Sequence, residues 1–408
     1  MMLAAIRAAI DDAELIDWTR RLVAAASPNP PGDVIAAADA ACAILAEAVP
    51  AARVTLHEPA PGIRNLVAVL AGAAPGRRVV FNGHLDTFPV NEALPWTVPP
   101  LAGVLREGRL YGRGTADMKG GIACSIAALA ALARHRDAWR GEAVLALAGD
   151  EESMGPLGTK WLLDHVPEAR GDAVIIGDAG SPRVVRFGEK GFLWLEVEAR
   201  GRAAHGAHVH LGENALDRLS EALDAIRALR RLPVAAPPAV AAAIAAAQPI
   251  SEPLSGPGEA AVLGQVTVNI GRIAGGTSTN LVPAEARAGV DIRLPVGVTC
   301  AAVEAALPRL PGVTIRVLRR FEPNHTAPDH ELVRIAAAAA GRVLGSACAV
   351  NMRVGGSDSR WFRMAGLPTI VYGPTPFGMG GPDEYVRIEE LRQVAEVHAL
   401  TALEFLAA

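Results

Sequence analysis

The stretch Val79-Val80-Phe81-Asn82-Gly83-His84-Leu85-Asp86 constrains this chain most, because an apolar strand here delivers a histidine and a carboxylate at its end. Side chains two apart on a strand share a face. Asp86 can therefore accept a hydrogen bond from one imidazole nitrogen of His84 and leave the other nitrogen for a metal. The same residues also read as a buried histidine beside an N-capping aspartate.

Three further segments place acids in comparable positions. Tyr111-Gly112-Arg113-Gly114-Thr115-Ala116-Asp117-Met118-Lys119-Gly120-Gly121 puts Asp117 in a glycine-lined loop just before a helix. Glycines let the backbone approach closely enough to hold that carboxylate at the sheet edge where His84 arrives. Gly149-Asp150-Glu151-Glu152 follows an apolar strand, and adjacent carboxylates repel unless cations or protons compensate. Asp178 follows Val174-Ile175-Ile176-Gly177 and repeats the arrangement. Singly, Asp117 also reads as a helix N-cap, and the Glu151 segment as a solvated acidic turn. Together the histidine and acids make a nitrogen/oxygen site for a divalent metal such as zinc, manganese or cobalt.

With 408 residues the chain exceeds what one hydrophobic core usually serves, so two domains are expected. Strands at Asn65 to Leu70, Arg78 to Asn82, Ala143 to Leu147 and Ala173 to Ile176 alternate with helices near Gly121 to Arg134 and Leu157 to Val166. That alternation predicts an α/β domain with a mixed, mostly parallel sheet between helices, formed by residues 1–187 and 323–408. Chemistry in such a sheet gathers at the carboxyl ends of the strands. From Gly188 the pattern becomes one-sided alternation in β-α-β-β-α-β order, which predicts an inserted α+β domain over residues 188–322 with a four-stranded sheet and two helices. Pro233 to Ala261, dense in Ala and Pro, reads as an irregular excursion. Met1 to Ala26 reads as one amphipathic helix, neither signal peptide nor membrane span.

A net charge of -4 and a pI near 6.2 supply no basic field, which argues against nucleic acid or an anionic membrane as a partner. The four cysteines lack CxxC spacing, so neither a disulfide framework nor a cysteine zinc site is expected, and the cytoplasm is the expected compartment. No G-x-G-x-x-G follows an early strand, which weakens a nucleotide-binding reading.

The order H-x-D, G-R-G-x-x-D-M-K-G-G, D-E-E, then an acid after the next strand, resembles the dinuclear metallohydrolase family of aminoacylase, acetylornithine deacetylase, succinyl-diaminopimelate desuccinylase and glutamate carboxypeptidase. Nearly the whole chain takes part, including Gly201 to Ala207, Asn280-Leu281-Val282-Pro283, Asp291-Ile292-Arg293, Gly355-Gly356-Ser357-Asp358 and Pro382-Asp383-Glu384-Tyr385. The resemblance implies that His84 and Asp178 bind one metal, Asp117 bridges to a second, and Glu152 binds the second. It makes Glu151 the general base and Asp86 the holder of His84, with a cis peptide at Asp117-Met118. It also implies that the inserted domain is a lid that pairs two subunits in a homodimer, with His205 reaching the partner's site. Asn280 and Arg293 would hold a substrate carboxylate, although Arg293 also reads as a surface residue or an ion pair within its own domain.

One position departs from the family. Where its members carry a histidine three positions before the Asp-Glu of the last motif, as the remaining ligand of the second metal, this chain has Gly380. The expected cofactor is therefore one or two divalent ions per subunit, zinc first, with manganese or cobalt as alternatives. His208, His210 and His325 are the candidates for a substitute ligand. The expected activity is amide hydrolysis of a small N-acyl amino acid or similar carboxylate-bearing compound. The alternatives are a one-metal hydrolase of another C-N bond, such as an amine or ureido group, and a catalytically silent ligand-binding dimer.

Overall fold

In the computed structural model, which describes residues 2–407, two separate sheets carry the architecture. The larger has nine strands. Eight run in the order Arg53–Ala60, Ile63–Ala71, Glu142–Ala148, Arg78–His84, Ala173–Ile176, Thr369–Val371, Val184–Glu189 and Asn324–His325, and Ala349–Arg353 pairs with Val184–Glu189. Arg78–His84 lies parallel to both neighbours, while Ile63–Ala71 runs antiparallel at one flank, so the sheet is mixed. Its central strands are nearly continuous apolar runs because helices cover both faces. Gly120–Arg134 and Ile388–Ala407 pack against one another on one side. Leu162 and Phe362 join the cluster that holds Val80, Val144 and Val174.

Register positions the chemistry. His84 pairs with Ala148, so Glu151 and Glu152 lie just past the neighbouring strand's end. Asn82 pairs with Ile176, which puts Asp178 level with His84 on the other side. Parallel pairing thus turns three separated sequence positions into one edge.

The smaller sheet is antiparallel, in the order Thr267–Gly275, Glu285–Leu294, Gly191–Arg200, Val313–Phe321. Burial alternates along Glu285–Leu294. The covered face packs Leu195, Val290 and Ile292 against Leu219, Leu223 and Ile226 of Ala215–Arg227 and Val303 of Cys300–Ala305.

Three expectations change. The segment expected to be irregular folds as helices Pro238–Ser255 and Glu259–Leu263. Alanine favours helix, and a proline at the first turn has no N–H to lose. Pro249 and Pro253 are four apart and both exposed, so the missing donors fall on the solvent face. This helix lies within the 188–322 range yet packs on the large sheet, with Ala247 against Val184 and Ala349. The N-terminal helix is two, Met2–Ala9 and Asp12–Ala24. Asp11 caps the second by accepting from the Ala13 N–H at 2.9 Å, and Met1 lies outside the described residues. Strands Arg53–Ala60, Val184–Glu189 and Ala349–Arg353 are additional to those read from the sequence.

Candidate metal centre

His84 is buried at its strand end, and its two nitrogens have different partners. Nδ1 donates to the main-chain carbonyl of Asp86 at 2.9 Å, and since a carbonyl only accepts, the proton of a neutral ring sits on Nδ1. Nε2 is left to face Asp117 Oδ1 at 3.0 Å. The Asp86 carboxylate, expected to hold the imidazole, lies 3.6 Å from Nδ1. It instead accepts the N–H groups of Glu151 (3.0 Å) and Glu152 (2.9 Å) and the Asn29 side-chain amide (2.9 Å). Asp86 thereby fixes the turn that carries the two glutamates.

Asp117 sits in the glycine loop at a cis Asp117-Met118 peptide. The approach of that loop requires small residues: a Cβ on Gly121 would lie 1.8 Å from the Gly177 carbonyl oxygen.

Ligand atoms of His84, Asp117 and Glu152 lie within 4.8 Å of one another, the only such group among the described residues. Glu152 Oε1 is buried with no hydrogen-bond partner. An orphaned carboxylate oxygen aimed among an imidazole and a second carboxylate fits a divalent cation. The electrostatics agree. Burial, followed by repulsion from Asp117, pushes the Glu152 carboxyl up to about 10. Burial also lifts Glu151 to about 8, against the pull of Arg360 and His84. Burial disfavours a charged His84, yet the Asp117 and Asp86 carboxylates hold its pKa well above the usual value.

Asp178 arrives level with His84 but lies outside that three-residue group. Its Oδ2 accepts from Arg353 Nη1 at 2.6 Å, and its Oδ1 accepts from the Ala179 N–H. Glu151 Oε1 accepts from the buried Arg360 Nη1 at 3.1 Å. Asp358 accepts from Thr159 Oγ1 at 2.7 Å, and burial raises its carboxyl to about 6. Arg353, Arg360 and Asn29 carried no assigned role in the sequence. Arg360 lies two positions after the Gly355-Gly356-Ser357-Asp358 turn, the one local signal that pointed toward it.

The remaining expected residues lie on the small-sheet side, and no hydrogen bond or ion pair joins them to the acids among the described residues. His205 is exposed and its Nδ1 accepts the Ala207 N–H at 3.1 Å. Asn280 is exposed and accepts from Ser278 Oγ at 2.6 Å. Arg293 forms an ion pair with Asp291 on its own strand at 2.9 Å and lies 5.0 Å over the Phe192 ring. That is the intradomain pairing that the sequence left open for Arg293. Gly380 takes φ +74°, and Arg113 Nη2 donates to its carbonyl at 2.9 Å. His208, His210 and His325 are not in the ligand group.

A mixed sheet with an imidazole and acids at its strand ends, joined to a separate four-stranded sheet, defines a metallohydrolase. The chain belongs to peptidase family M20/M25/M40, whose model matches residues 80–404. It is 30% identical over 352 residues to succinyl-diaminopimelate desuccinylase from Rhodospirillum centenum, covering 84% of each chain. Its fold is similar to a tripeptidase from Staphylococcus aureus (TM-score 0.74, 19% identity, 98% of this chain and 99% of that one). It is also similar to an M20 family metallo-carboxypeptidase from Sulfolobus solfataricus (TM-score 0.74, 17% identity, 96% and 98%). The chain is a metal-dependent hydrolase of C–N amide bonds.

Proposed function

We propose that this enzyme removes the acyl group from a small N-acyl amino acid or a similar compound bearing a free carboxylate. The observation that carries the reading is the unpartnered Glu152 Oε1 among the ligand atoms of His84 and Asp117, with the neighbouring Glu151 carboxylate buried and held by Arg360 Nη1 at 3.1 Å. The relative at 30% identity, a succinyl-diaminopimelate desuccinylase, supports loss of an acyl group.

His84, Asp117 and Glu152 would hold a divalent ion, which when bound would lower the pKa of a coordinated water toward neutrality. Glu151 accepts the proton of the attacking water and delivers it to the leaving nitrogen. Arg360 Nη1 fixes Oε1 of Glu151, while Asp86 anchors the backbone on either side of it.

The small sheet and its helices, within residues 188–322, act as a lid and pair two subunits in a homodimer. His205 and Asn280, both exposed on that side, meet the substrate across the pair. Zinc is the proposed native ion, with manganese and cobalt as the other candidates, and the cytoplasm the proposed compartment, in keeping with four free cysteines.

The test is an assay of protein loaded with zinc, manganese or cobalt against N-succinyl, N-acetyl and N-carbamoyl amino acids and dipeptides. Hydrolysis of an N-acyl class that falls at least ~1,000-fold in Glu151→Gln is expected. Turnover unchanged in that variant overturns the assignment of Glu151.

A further inference from the structure

Both ends of the acid cluster depart from what two cations would need. At one end, position 380 has no side chain, and its carbonyl is engaged by Arg113 Nη2 at 2.9 Å. At the other, Asp178 Oδ2 accepts from Arg353 Nη1 at 2.6 Å and Oδ1 accepts the Ala179 N–H. A guanidinium has five donors and no lone pair to offer, and it stays protonated in proteins, so it cannot serve as a ligand. Beside Asp178 it places a fixed positive charge where a second cation would sit, and like charges at that range repel.

Between these ends lies one complete donor set. His84, Asp117 and Glu152 offer one nitrogen and two carboxylates, and Glu152 Oε1 is buried with no other partner. Three protein ligands with an open position are the donor count of a catalytic zinc site. Arg353 ends the strand Ala349–Arg353, which pairs with Val184–Glu189, and the hydrogen bond from the Lys190 N–H to the Arg353 carbonyl at 3.3 Å ties that end down. Its side chain is mostly buried. The ion pair is thus built on the sheet itself.

We infer that this chain binds a single divalent cation, held by His84, Asp117 and Glu152, and that the Arg353 guanidinium occupies the second cation's place against Asp178. The inference rests on the metal centre of the proposed function but needs no turnover to be tested. Metal-stripped protein is titrated with zinc by calorimetry, and zinc per chain is counted by elemental analysis after desalting.

One equivalent in the unmodified chain is expected, with none retained by His84→Ala. Asp178→Asn is expected to keep its one equivalent, because that carboxylate is not a ligand. Arg353→Met is expected to move the count toward two, since it frees Asp178 from its competitor. Two equivalents in the unmodified chain, loss of the ion in Asp178→Asn, or a count fixed at one in Arg353→Met overturns it. Thermal unfolding checks each variant's fold, and the count in the unmodified chain decides if a variant fails to fold. One bound zinc without hydrolysis of any amide sinks the proposed function and leaves this inference standing.

Discussion

Glu384 and Arg113, 271 positions apart, form a buried ion pair beneath the metal loop. The second carboxylate oxygen of Glu384 accepts the Ala116 N–H at 2.9 Å and the Asp117 N–H at 3.4 Å. The last motif of the chain therefore holds the backbone of a ligand contributed by the first third. Removing one partner of a buried pair strands the other charge and costs about 3–5 kcal/mol. Glu384→Ala is expected to lower the unfolding midpoint sharply and weaken zinc binding, while Glu384→Gln, which keeps an acceptor for Ala116, loses less of both. Equal losses in the two variants, measured by thermal unfolding and zinc titration, would count against the backbone role.

Asp86 makes a parallel case. Its carboxylate collects two N–H groups from the Glu151-Glu152 turn and an amide from Asn29. Outer partners of this kind commonly carry 10- to 100-fold in metal affinity or activity, as an order of magnitude (~). Asp86→Ala is expected to weaken zinc binding by roughly that factor and to lower kcat through displacement of Glu151. If Asn29→Ala, which removes one bond of the same network, has the larger effect on kcat, the assignment of the turn to Asp86 is wrong.

Close packing of glycines should be as demanding as the ligands. A methyl on Gly121 would lie 1.8 Å from the Gly177 oxygen, so Gly121→Ala must push Gly120–Arg134 off the strand that carries Asp178. Overpacking at such contacts costs about 1–3 kcal/mol or more. Gly341→Ala, where the nearest atom is 3.6 Å away within a helix, should be neutral or stabilising by up to about 1 kcal/mol. Denaturant midpoints of the two variants test the contrast.

The junction between the two sheets carries a pH signature. Lys190 is buried there and donates to the Val262 and Gln265 carbonyls at 2.6 and 2.8 Å. Burial, followed by the nearby Arg293 charge, lowers its pKa to about 7. Between that value and the ordinary lysine value, the unfolded chain binds the extra proton, so stability rises with pH. The slope reaches at most ~1.4 kcal/mol per pH unit. Glu151 and Glu152 contribute with the opposite sign in both proteins, so the difference is the test: from pH 7 to 9 the midpoint of the unmodified chain is expected to climb relative to that of Lys190→Met. An identical climb in the variant would exclude Lys190 as its source.

Much of the catalytic sheet was legible because its strands are apolar runs broken by glycine and acid. The strand read at Ala173 to Ile176 matches the structure residue for residue. The segment after Pro233 was not, because its prolines mask an alanine-rich helix whose stability comes from packing on a strand more than 80 positions away. Arg293 stayed ambiguous until the fold set it beside Asp291. Arg53–Ala60 was missed because a half-exposed edge strand shows weak alternation.

The sequence by itself determined which strands end in acids and that one of them ends in an imidazole, since apolar runs and the turns after them are local properties. Parallel pairing then placed those ends side by side. Only the tertiary structure decided which guanidinium meets which carboxylate: Arg353 with Asp178 across 175 positions, and Arg360 with Glu151 across 209. Such pairs depend on sheet order and on where the returning chain crosses it, and no periodicity within a single segment encodes that.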